Sequence, residues 1–254
     1  MTTDMTTDSK AMDMQRRAIL VINPNASTAT TAMMVKIAAE DPSCDFEVLG
    51  ATASRGPQMI VNAQELAAAG LEVERSWIAE RDAHAAAGKA WAGVIVSAFG
   101  VPGLERVRTL ASVPVVGICE ASMLEAAQGG RRFGIATVTP ELVEAIDGRA
   151  EHLGLAHLYT GIRLTEGDPR ELAADPQALE EALAQTVKRC IEDDGAQAVI
   201  IGGGPLGQAA LALAPRFDVP VIAPIAAAVR RLAALLDGPD TGGATDPKAT
   251  LAAT

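Results

Sequence analysis

The sequence predicts an α/β fold built from parallel sheets covered by helices. Short apolar runs of strand length alternate along the chain with longer alanine-rich stretches of helical period. Strands that are apolar along their whole length are typical of a parallel sheet buried on both faces. Hydrophobic residues make up 49% of the chain, whereas Phe, Trp and Tyr number only 4, 2 and 1. The core is therefore expected to consist mainly of Ala, Val, Leu and Ile.

The predicted strands are the apolar runs that turn residues interrupt. They cover residues 18–22, 44–49, 93–96, 113–117, 132–136, 197–201 and 219–222. Helical periodicity predicts helices over residues 58–69, 72–89 and 178–193. Two further helices are expected to begin after Ser27, a favourable N-cap residue, and with Pro140 in the first turn.

One strand–turn–helix–strand pattern occurs twice and predicts two similar halves. The segment 94–104, followed by the strand 113–117, matches the segment 199–206, followed by the strand 219–222, at nearly the same interval. Repeated units of this kind occur in all α/β proteins, so a repeat without duplication is the alternative. We expect one half over residues 17–112 plus about 222–237 and the other over 113–221. The polar segments 1–16 and 238–254 are predicted to be disordered tails.

Composition and charge exclude several classes of protein. The net charge of −11 would repel nucleic acids and anionic membranes, and no leader or apolar run of membrane-spanning length is evident. The 3 cysteines lie far apart without a C-x-x-C pair, and the 3 histidines lack metal-ligand spacing. We therefore expect a cytoplasmic protein that acts on a small molecule and holds no metal.

Four turns follow predicted strands and carry the candidate binding groups. They span residues 23–28, 97–100, 137–139 and 202–205. Ligands of open α/β sheets bind beyond the carboxyl ends of the strands, where free N–H groups and helix N-termini favour anionic or imide-like groups. The alternative is that these residues only cap helices or allow close packing. Neither the dinucleotide-binding motif G-x-G-x-x-G after a strand nor the P-loop motif G-x-x-x-x-G-K-[ST] is present.

Glu120 and Cys119 are the candidate acid and base. Both follow the predicted strand 113–117, so they are expected at the edge of the sheet where the four turns meet. A glutamate in the first turn of a helix is also a common partner of the helix dipole, which is the alternative for Glu120.

The motifs of this sequence resemble those of the aspartate/glutamate/hydantoin racemase superfamily, nearest to its hydantoin and allantoin racemases. The resemblance spans residues 18–236 and rests on the segments 19–28, 97–104, 114–121 and 134–139. It implies two pseudo-symmetric α/β halves with the active site in the cleft between them, no cofactor, and a homo-oligomer. It also implies two cysteines, one from each half, that remove and return a proton on opposite faces of the substrate.

The sequence departs from this family pattern at both cysteine positions. Ala98 and Gly203 stand where the resemblance places the two thiols. General acid–base catalysis contributes roughly 10²–10⁴-fold for each group, so the two-thiol mechanism is not expected here. Glu120, Cys119, Ser97 or a bound water would then have to move the proton.

The rest of the binding cleft matches the resemblance. Backbone N–H groups of its turns could hold a carboxylate or a developing enolate, and threonine hydroxyls could donate hydrogen bonds. The predicted substrate-binding residues are Asn23, Ser27, Thr28, Ala98, Phe99, Gly100, Thr137, Thr139, Gly202, Gly203 and Gly204.

These observations predict a cofactor-independent isomerase. Its substrate is expected to be a small ureide, amino-acid derivative or carboxylate that reacts at the carbon next to a carbonyl. The alternatives are a lyase, decarboxylase or hydrolase on the same scaffold, or a small-molecule binder without activity.

Overall fold

Two four-stranded parallel sheets with the same strand order form the frame of the protein. The computed structural model describes residues 17–238, so the predicted tails, apart from residue 238 itself, lie outside the described residues. The first sheet has the order β2-β1-β3-β4 and the second the order β6-β5-β7-β8. The strands are β1 (Ala18–Asn23), β2 (Glu47–Thr52), β3 (Trp91–Val96), β4 (Val115–Gly117), β5 (Phe133–Thr137), β6 (Tyr159–Leu164), β7 (Ala198–Ile201) and β8 (Val221–Ile222). The expected α/β fold with two pseudo-symmetric halves is confirmed.

Helices connect the strands and cover both sheets. They are α1 (Thr28–Glu40), α2 (Ala63–Ala86), α3 (Leu104–Leu110), α4 (Ile118–Ala126), α5 (Val143–His152), α6 (Pro169–Ala174), α7 (Pro176–Glu192), α8 (Gly207–Leu213) and α9 (Pro224–Asp237). The Ser27 hydroxyl caps α1 by accepting a hydrogen bond from the Thr30 N–H at 3.2 Å, as its position before the helix predicts. Among residues 17–238, no helix combines the length and apolar character that a bilayer crossing requires.

The long helix α2 replaces two helices that the sequence predicts. Gly70 lies inside it, where glycine ordinarily weakens a helix. A β-carbon at Gly70 would lie 3.3 Å from the backbone nitrogen of Gly103, in the loop before α3. The glycine therefore allows close packing of that loop against an unbroken helix.

Two edge strands account for the other differences. The strand β2 begins at Glu47 rather than at residue 44, and half of its residues are exposed, so its apolar pattern is weak. The strand β6 is absent from the prediction. All six of its residues are partly exposed, and Gly161 adopts a φ of 112° within it. An edge strand of this kind lacks the continuous apolar run that identifies a central parallel strand.

The chain crosses between the halves later than predicted. The strand β4 pairs with β3 in the first sheet, which moves the expected boundary from residue 112 to the end of β4 at Gly117. The last strands of the two sheets in chain order, β4 and β8, are each followed by a helix that covers the other half. Thus α4 packs against β7 and β8, whereas α9 packs against α1, β3 and β4. A single buried cluster includes Ile19 and Ile95 of the first sheet and Ile135 and Ile200 of the second.

Candidate active site

A cleft lies where the turns after β1, β3, β5 and β7 converge. It encloses a cavity of about 50 Å³, which the loop before α2 also lines. Residues of all four turns that the sequence predicts as binding turns line this cavity. The predicted residues that line the cavity are Ser97, Ala98, Phe99, Gly100, Thr137, Thr139, Gly202, Gly203 and Gly204.

The turns after β3 and β7 are related by the pseudo-symmetry of the halves. The Ser97 N–H donates to the Ile22 carbonyl at 2.9 Å, and the Gly202 N–H donates to the Ala136 carbonyl at 2.8 Å. Each bond joins the residue after one central strand to the neighbouring central strand. The residues that follow, Ala98 and Gly203, therefore occupy equivalent positions in the two halves.

The same two turns pack so closely that glycine is required. A β-carbon at Gly204 would lie 2.9 Å from the Ser97 carbonyl oxygen. Gly203 has a φ of 147°, a conformation that residues with a β-carbon rarely adopt. The Thr137 hydroxyl donates to the Gly202 carbonyl at 2.6 Å and so joins the turn after β5 to the turn after β7.

Asn25, rather than the predicted Asn23, presents its amide to the cavity. The buried Asn23 amide donates to the Asn25 Oδ1 at 2.9 Å and to the Thr31 hydroxyl at 3.0 Å. The Asn25 Oδ1 also accepts from the Ser27 N–H at 2.9 Å. With that oxygen occupied, the Asn25 Nδ2 is the group available to a ligand, and it meets no acceptor among residues 17–238.

This arrangement corrects three of the predicted binding residues. Asn23 supports the turn from behind, and Ser27 uses its hydroxyl to cap α1. Thr28 is the exposed first residue of that helix. None of the three lines the cavity. The sequence could not separate Asn23 from Asn25, because two amides flank the same proline and only the path of the turn decides which one faces inward.

Ser97 carries an unpaired polar atom in the cleft. The residue is 3% exposed, and its hydroxyl has no hydrogen-bond partner within the described range. A buried polar group without a partner costs about 1–3 kcal/mol, which a ligand or a water could recover. The backbone N–H groups of Ala98, Phe99 and Gly203 likewise donate to no acceptor in the described part of the chain.

Glu120 lies outside the cleft, which corrects its expected role as acid or base. It is the third residue of α4 and is 7% exposed. Its Oε2 accepts from the Arg108 Nη2 at 2.5 Å, and its Oε1 forms an ion pair with Arg149. The two arginines come from α3 and α5, so the carboxylate joins helices of both halves. Two cations hold it away from any substrate in the cavity.

The three cysteines are likewise absent from the lining of the cavity. Cys119 is completely buried in the core, and burial raises the pKa of its thiol to about 12. Burial likewise raises the pKa of Cys190 to about 12. Cys44 is half-buried beside Phe46, whose carbonyl accepts from its thiol at 3.8 Å. None of these thiols lines the cavity, which corrects the expectation for Cys119.

No acidic, basic or cysteine side chain lines the cavity of the described structure. Residues 17–238 also contain no cluster of three or more His, Cys, Asp and Glu residues that could hold a metal ion. The polar groups that remain are the Asn25 amide, the hydroxyls of Ser97 and Thr139, and free backbone N–H groups. This set can bind carbonyl or carboxylate oxygens and can stabilise an oxyanion.

Sequence reasoning missed the apolar residues of the cleft that lie outside the four turns, among them Leu206. Met59 and Ile60 lie in the loop before α2, Leu66 lies in α2, and Leu142 lies in the short turn before α5. A hydrophobic residue in a loop gives no local signal of a binding site, because the same residue could equally cover the core.

The fold is that of an α/β protein with two pseudo-symmetric halves, and the cleft between them is the candidate active site. The family model for Asp/Glu/Hydantoin racemase matches residues 19–232, and the chain belongs to this family. It is 30% identical over 216 residues to a hydantoin racemase from Paenarthrobacter aurescens, a match that covers 84% of this chain and 88% of that protein. Family and relatives support an isomerase of the racemase type.

Solved structures show the same fold. An allantoin racemase from Klebsiella pneumoniae superposes with a TM-score of 0.79 at 26% identity, covering 92% of this chain and 98% of that one. A maleate isomerase from Pseudomonas putida S16 superposes with a TM-score of 0.65 at 18% identity, covering 87% and 92% of the two chains. At that identity the second likeness concerns the fold alone.

Proposed function

We propose that this protein is a cofactor-independent isomerase that exchanges the proton on the carbon next to a carbonyl of a small ureide or amino-acid derivative. The observation that carries the proposal is the uncharged cleft, in which buried amide, hydroxyl and backbone N–H donors converge without an ionisable side chain. Such donors suit the carbonyl oxygens of a neutral ring better than the two charges of a dicarboxylate, which would be buried without a cation.

Binding and charge stabilisation are assigned to donors on both halves. The Asn25 Nδ2 and the free N–H groups of Ala98 and Gly203 would bind the oxygens of the substrate. When the proton leaves the carbon, negative charge moves onto the neighbouring carbonyl oxygen. Donors already in place strengthen their bonds to that oxygen in the transition state, and one such donor contributes roughly 10²–10³-fold to the rate.

Proton transfer is assigned to a water held by Ser97. Glu120 and Cys119 are excluded by their positions, and a cavity of about 50 Å³ accommodates a water molecule. The unpaired Ser97 hydroxyl can orient that water beside the reacting carbon. The water would accept the proton as the C–H bond breaks, exchange it with solvent, and return a proton to the carbon to re-form that bond. Under this proposal Ala98 and Gly203 occupy the positions of the two thiols that the family resemblance implies, and their equivalent places in the two halves support that assignment.

Proton NMR in D₂O tests the proposal with a panel of 5-substituted hydantoins, allantoin and small dicarboxylates. We expect the signal of the proton next to the carbonyl to disappear faster than in an enzyme-free sample, without new products. Ser97→Ala should slow this exchange about 10- to 100-fold. Ser43→Ala, at an exposed serine that does not line the cavity, is the matched control and should leave the rate unchanged.

Two results would contradict the proposal. New products without exchange in the recovered substrate would indicate a lyase or hydrolase. Saturable binding of a ring compound without exchange or products would indicate a binding protein. Ala98→Cys then provides a further measure: a thiol at this position should accelerate exchange if the cleft places the reacting carbon beside residue 98.

A further inference from the structure

Val101 has a backbone conformation that valine rarely adopts. Among the non-glycine residues of 17–238 it alone has a positive φ, of 48°. In this left-handed region the β-carbon of an L-residue crowds the following carbonyl oxygen, and the branched side chain makes valine a clear outlier there. Such conformations persist only where the surrounding structure holds them, and they concentrate at functional sites. Val101 directly follows Gly100, which lines the cavity at the end of the turn after β3.

The Val101 side chain is anchored over the end of β4. A β-carbon placed on Gly117 would lie 3.4 Å from the Val101 Cγ1 and 2.8 Å from the Leu104 Cδ2, so both side chains lie over this glycine. Val101 is half-buried and packs against two hydrophobic clusters, one of which contains Leu104. The packing of its methyl groups therefore offsets the cost of the left-handed backbone.

Pro102 limits the conformations to which Val101 could relax. A residue before proline is disfavoured in the helical region and prefers an extended conformation with φ of about −120°. Both ends of the segment are fixed, because the Ser97 N–H is bonded to β1 at 2.9 Å and a β-carbon on Gly103 would lie 2.6 Å from the Gly70 carbonyl oxygen. An extended Val101 would change the direction of the chain between these two points, so the turn between them would have to shift.

This turn carries donors of the cleft. The Val101 N–H donates to the Ala98 carbonyl at 3.1 Å and closes a turn whose central residues are Phe99 and Gly100. The carbonyl and the N–H of one trans peptide point in opposite directions. Because the Ala98 carbonyl faces into the turn, the Phe99 N–H is directed out of it, and both residues line the cavity.

We infer that Val101 is a positioning residue of the cleft. Its packed side chain holds the left-handed backbone, and that backbone holds the N–H groups of Ala98 and Phe99 in place for a carbonyl oxygen of the ligand. The inference rests on the proposed function, since it concerns donors to the substrate oxygens. Fixed donors gain most in the transition state, so a loosened turn should lower kcat more than it raises KM.

Three variants separate the backbone conformation at residue 101 from the packing of its side chain. Val101→Ala removes the anchoring methyl groups and leaves a residue that disfavours the left-handed region. Val101→Asn also removes them, but asparagine enters this region readily. Val113→Ala is the matched control, because Val113 is half-buried against one of the same clusters, has a negative φ and lies outside the cavity.

Proton exchange of 5-methylhydantoin in D₂O, measured over a range of concentrations, gives kcat and KM. Val101→Ala should lower kcat about 10- to 100-fold and change KM less than about 3-fold. Val101→Asn should keep kcat within about 3-fold of the parent protein, because its backbone favours the required conformation. Val113→Ala should lower the urea midpoint and leave kcat unchanged, as expected of a residue that only stabilises the fold.

Amide signals provide a measurement that does not require turnover. In two-dimensional amide NMR spectra, hydantoin should shift the signals of Ala98 and Phe99 in the parent protein and in Val101→Asn, and shift them less in Val101→Ala. The amide of residue 101 should also exchange with D₂O at least about 10-fold faster in Val101→Ala, because its hydrogen bond to the Ala98 carbonyl opens more often.

The outcomes separate this inference from the proposed function. If Val101→Ala keeps the parent's kcat and amide shifts, or if Val101→Asn loses as much activity as Val101→Ala, the inference is overturned even where proton exchange is observed. Amide shifts that depend on Val101 in a protein that exchanges no substrate proton support the inference and overturn the proposed isomerase activity. Absence of these shifts with every ring compound overturns both.

Discussion

Replacement of Glu120 by glutamine should destabilise the protein without removing a catalytic group. The Glu120 side chain is 9% exposed and the Arg149 side chain 11%, whereas Arg108 is 32% exposed. Removing one partner of a buried ion pair costs about 3–5 kcal/mol, because the remaining charge stays buried. Arg108 can regain water, so we expect Glu120→Gln to lower the free energy of unfolding by about 2–4 kcal/mol.

Urea denaturation followed by circular dichroism measures this loss. For a slope of about 1–3 kcal/mol per molar urea, the midpoint should fall by at least about 0.7 M. The matched control is Glu105→Gln, which alters an exposed carboxylate of the same cluster, bound to Arg108 at 2.9 Å. Since exposed ion pairs contribute about 0–1 kcal/mol, this variant should unfold nearly as the parent protein does.

A structural role and a catalytic role of Glu120 predict opposite effects of Glu120→Gln on stability and on proton exchange. An ion-pair role predicts lower stability with proton exchange retained wherever the variant is folded. If Glu120→Gln instead kept its urea midpoint within the range of Glu105→Gln and lost exchange, Glu120 would act in the reaction and the reasoning from its two arginine partners would be refuted.

Three further predictions concern thiols, the binding turn and acid stability. Cys119 and Cys190 are buried and have pKa values raised to about 12. Ellman's reagent at pH 8 should therefore react with Cys44 alone in the native protein and with all three thiols after unfolding. Reaction of Cys119 in the folded protein would contradict its location. Asn23→Ala removes the hydrogen bonds from the Asn23 amide to Asn25 and Thr31, which support the turn after β1. Binding of a ring ligand measured by calorimetry should weaken about 10-fold. An unchanged Kd would show that the turn keeps its shape without Asn23. A hydrogen bond from Arg163 lowers the pKa of Asp194 below its ordinary value of 3.8. The carboxylate therefore stabilises the fold above that pH and loses this contribution as the pH falls through the lowered pKa, so Asp194→Asn should reduce the acid dependence of the urea midpoint.

Much of the fold could be predicted from local patterns. The apolar runs locate the central strands of both sheets to within a few residues, as at 18–22 for β1 and 197–201 for β7. The repeated spacing predicts two similar halves, which the two sheets confirm. The prediction of secondary structure from apolar patterns failed where a strand is partly exposed along its length or where tertiary packing determines the role of a glycine. The edge strand β6 has no buried face along its length, and Gly70 lies inside α2 because a loop packs against it.

The candidate site was predictable in position but only partly in composition. Because the carboxyl ends of parallel strands share one edge of a sheet, the turns containing Thr137 and Gly203 had to lie close together. The packing of the two halves places the turn of Ser97, which belongs to the other sheet, against them. Which side chains face inward depends on the path of each turn, so Asn25 lines the cavity while Asn23 supports it. The apolar residues of the cleft that lie outside the four turns, such as Ile60, had no sequence signal.

Residue order alone accounts for the α/β class, the two related halves, the polar or glycine-rich turns after the central strands and the absence of cysteine from Ala98 and Gly203 in those turns. These properties follow from local periodicity and residue identity. Packing of the folded chain, in contrast, makes Glu120 join helices of both halves through Arg108 and Arg149 and buries Cys119 outside the lining of the cleft. Those roles depend on neighbours distant in sequence, and the energy of a charge or a thiol is set by the groups that folding places around it.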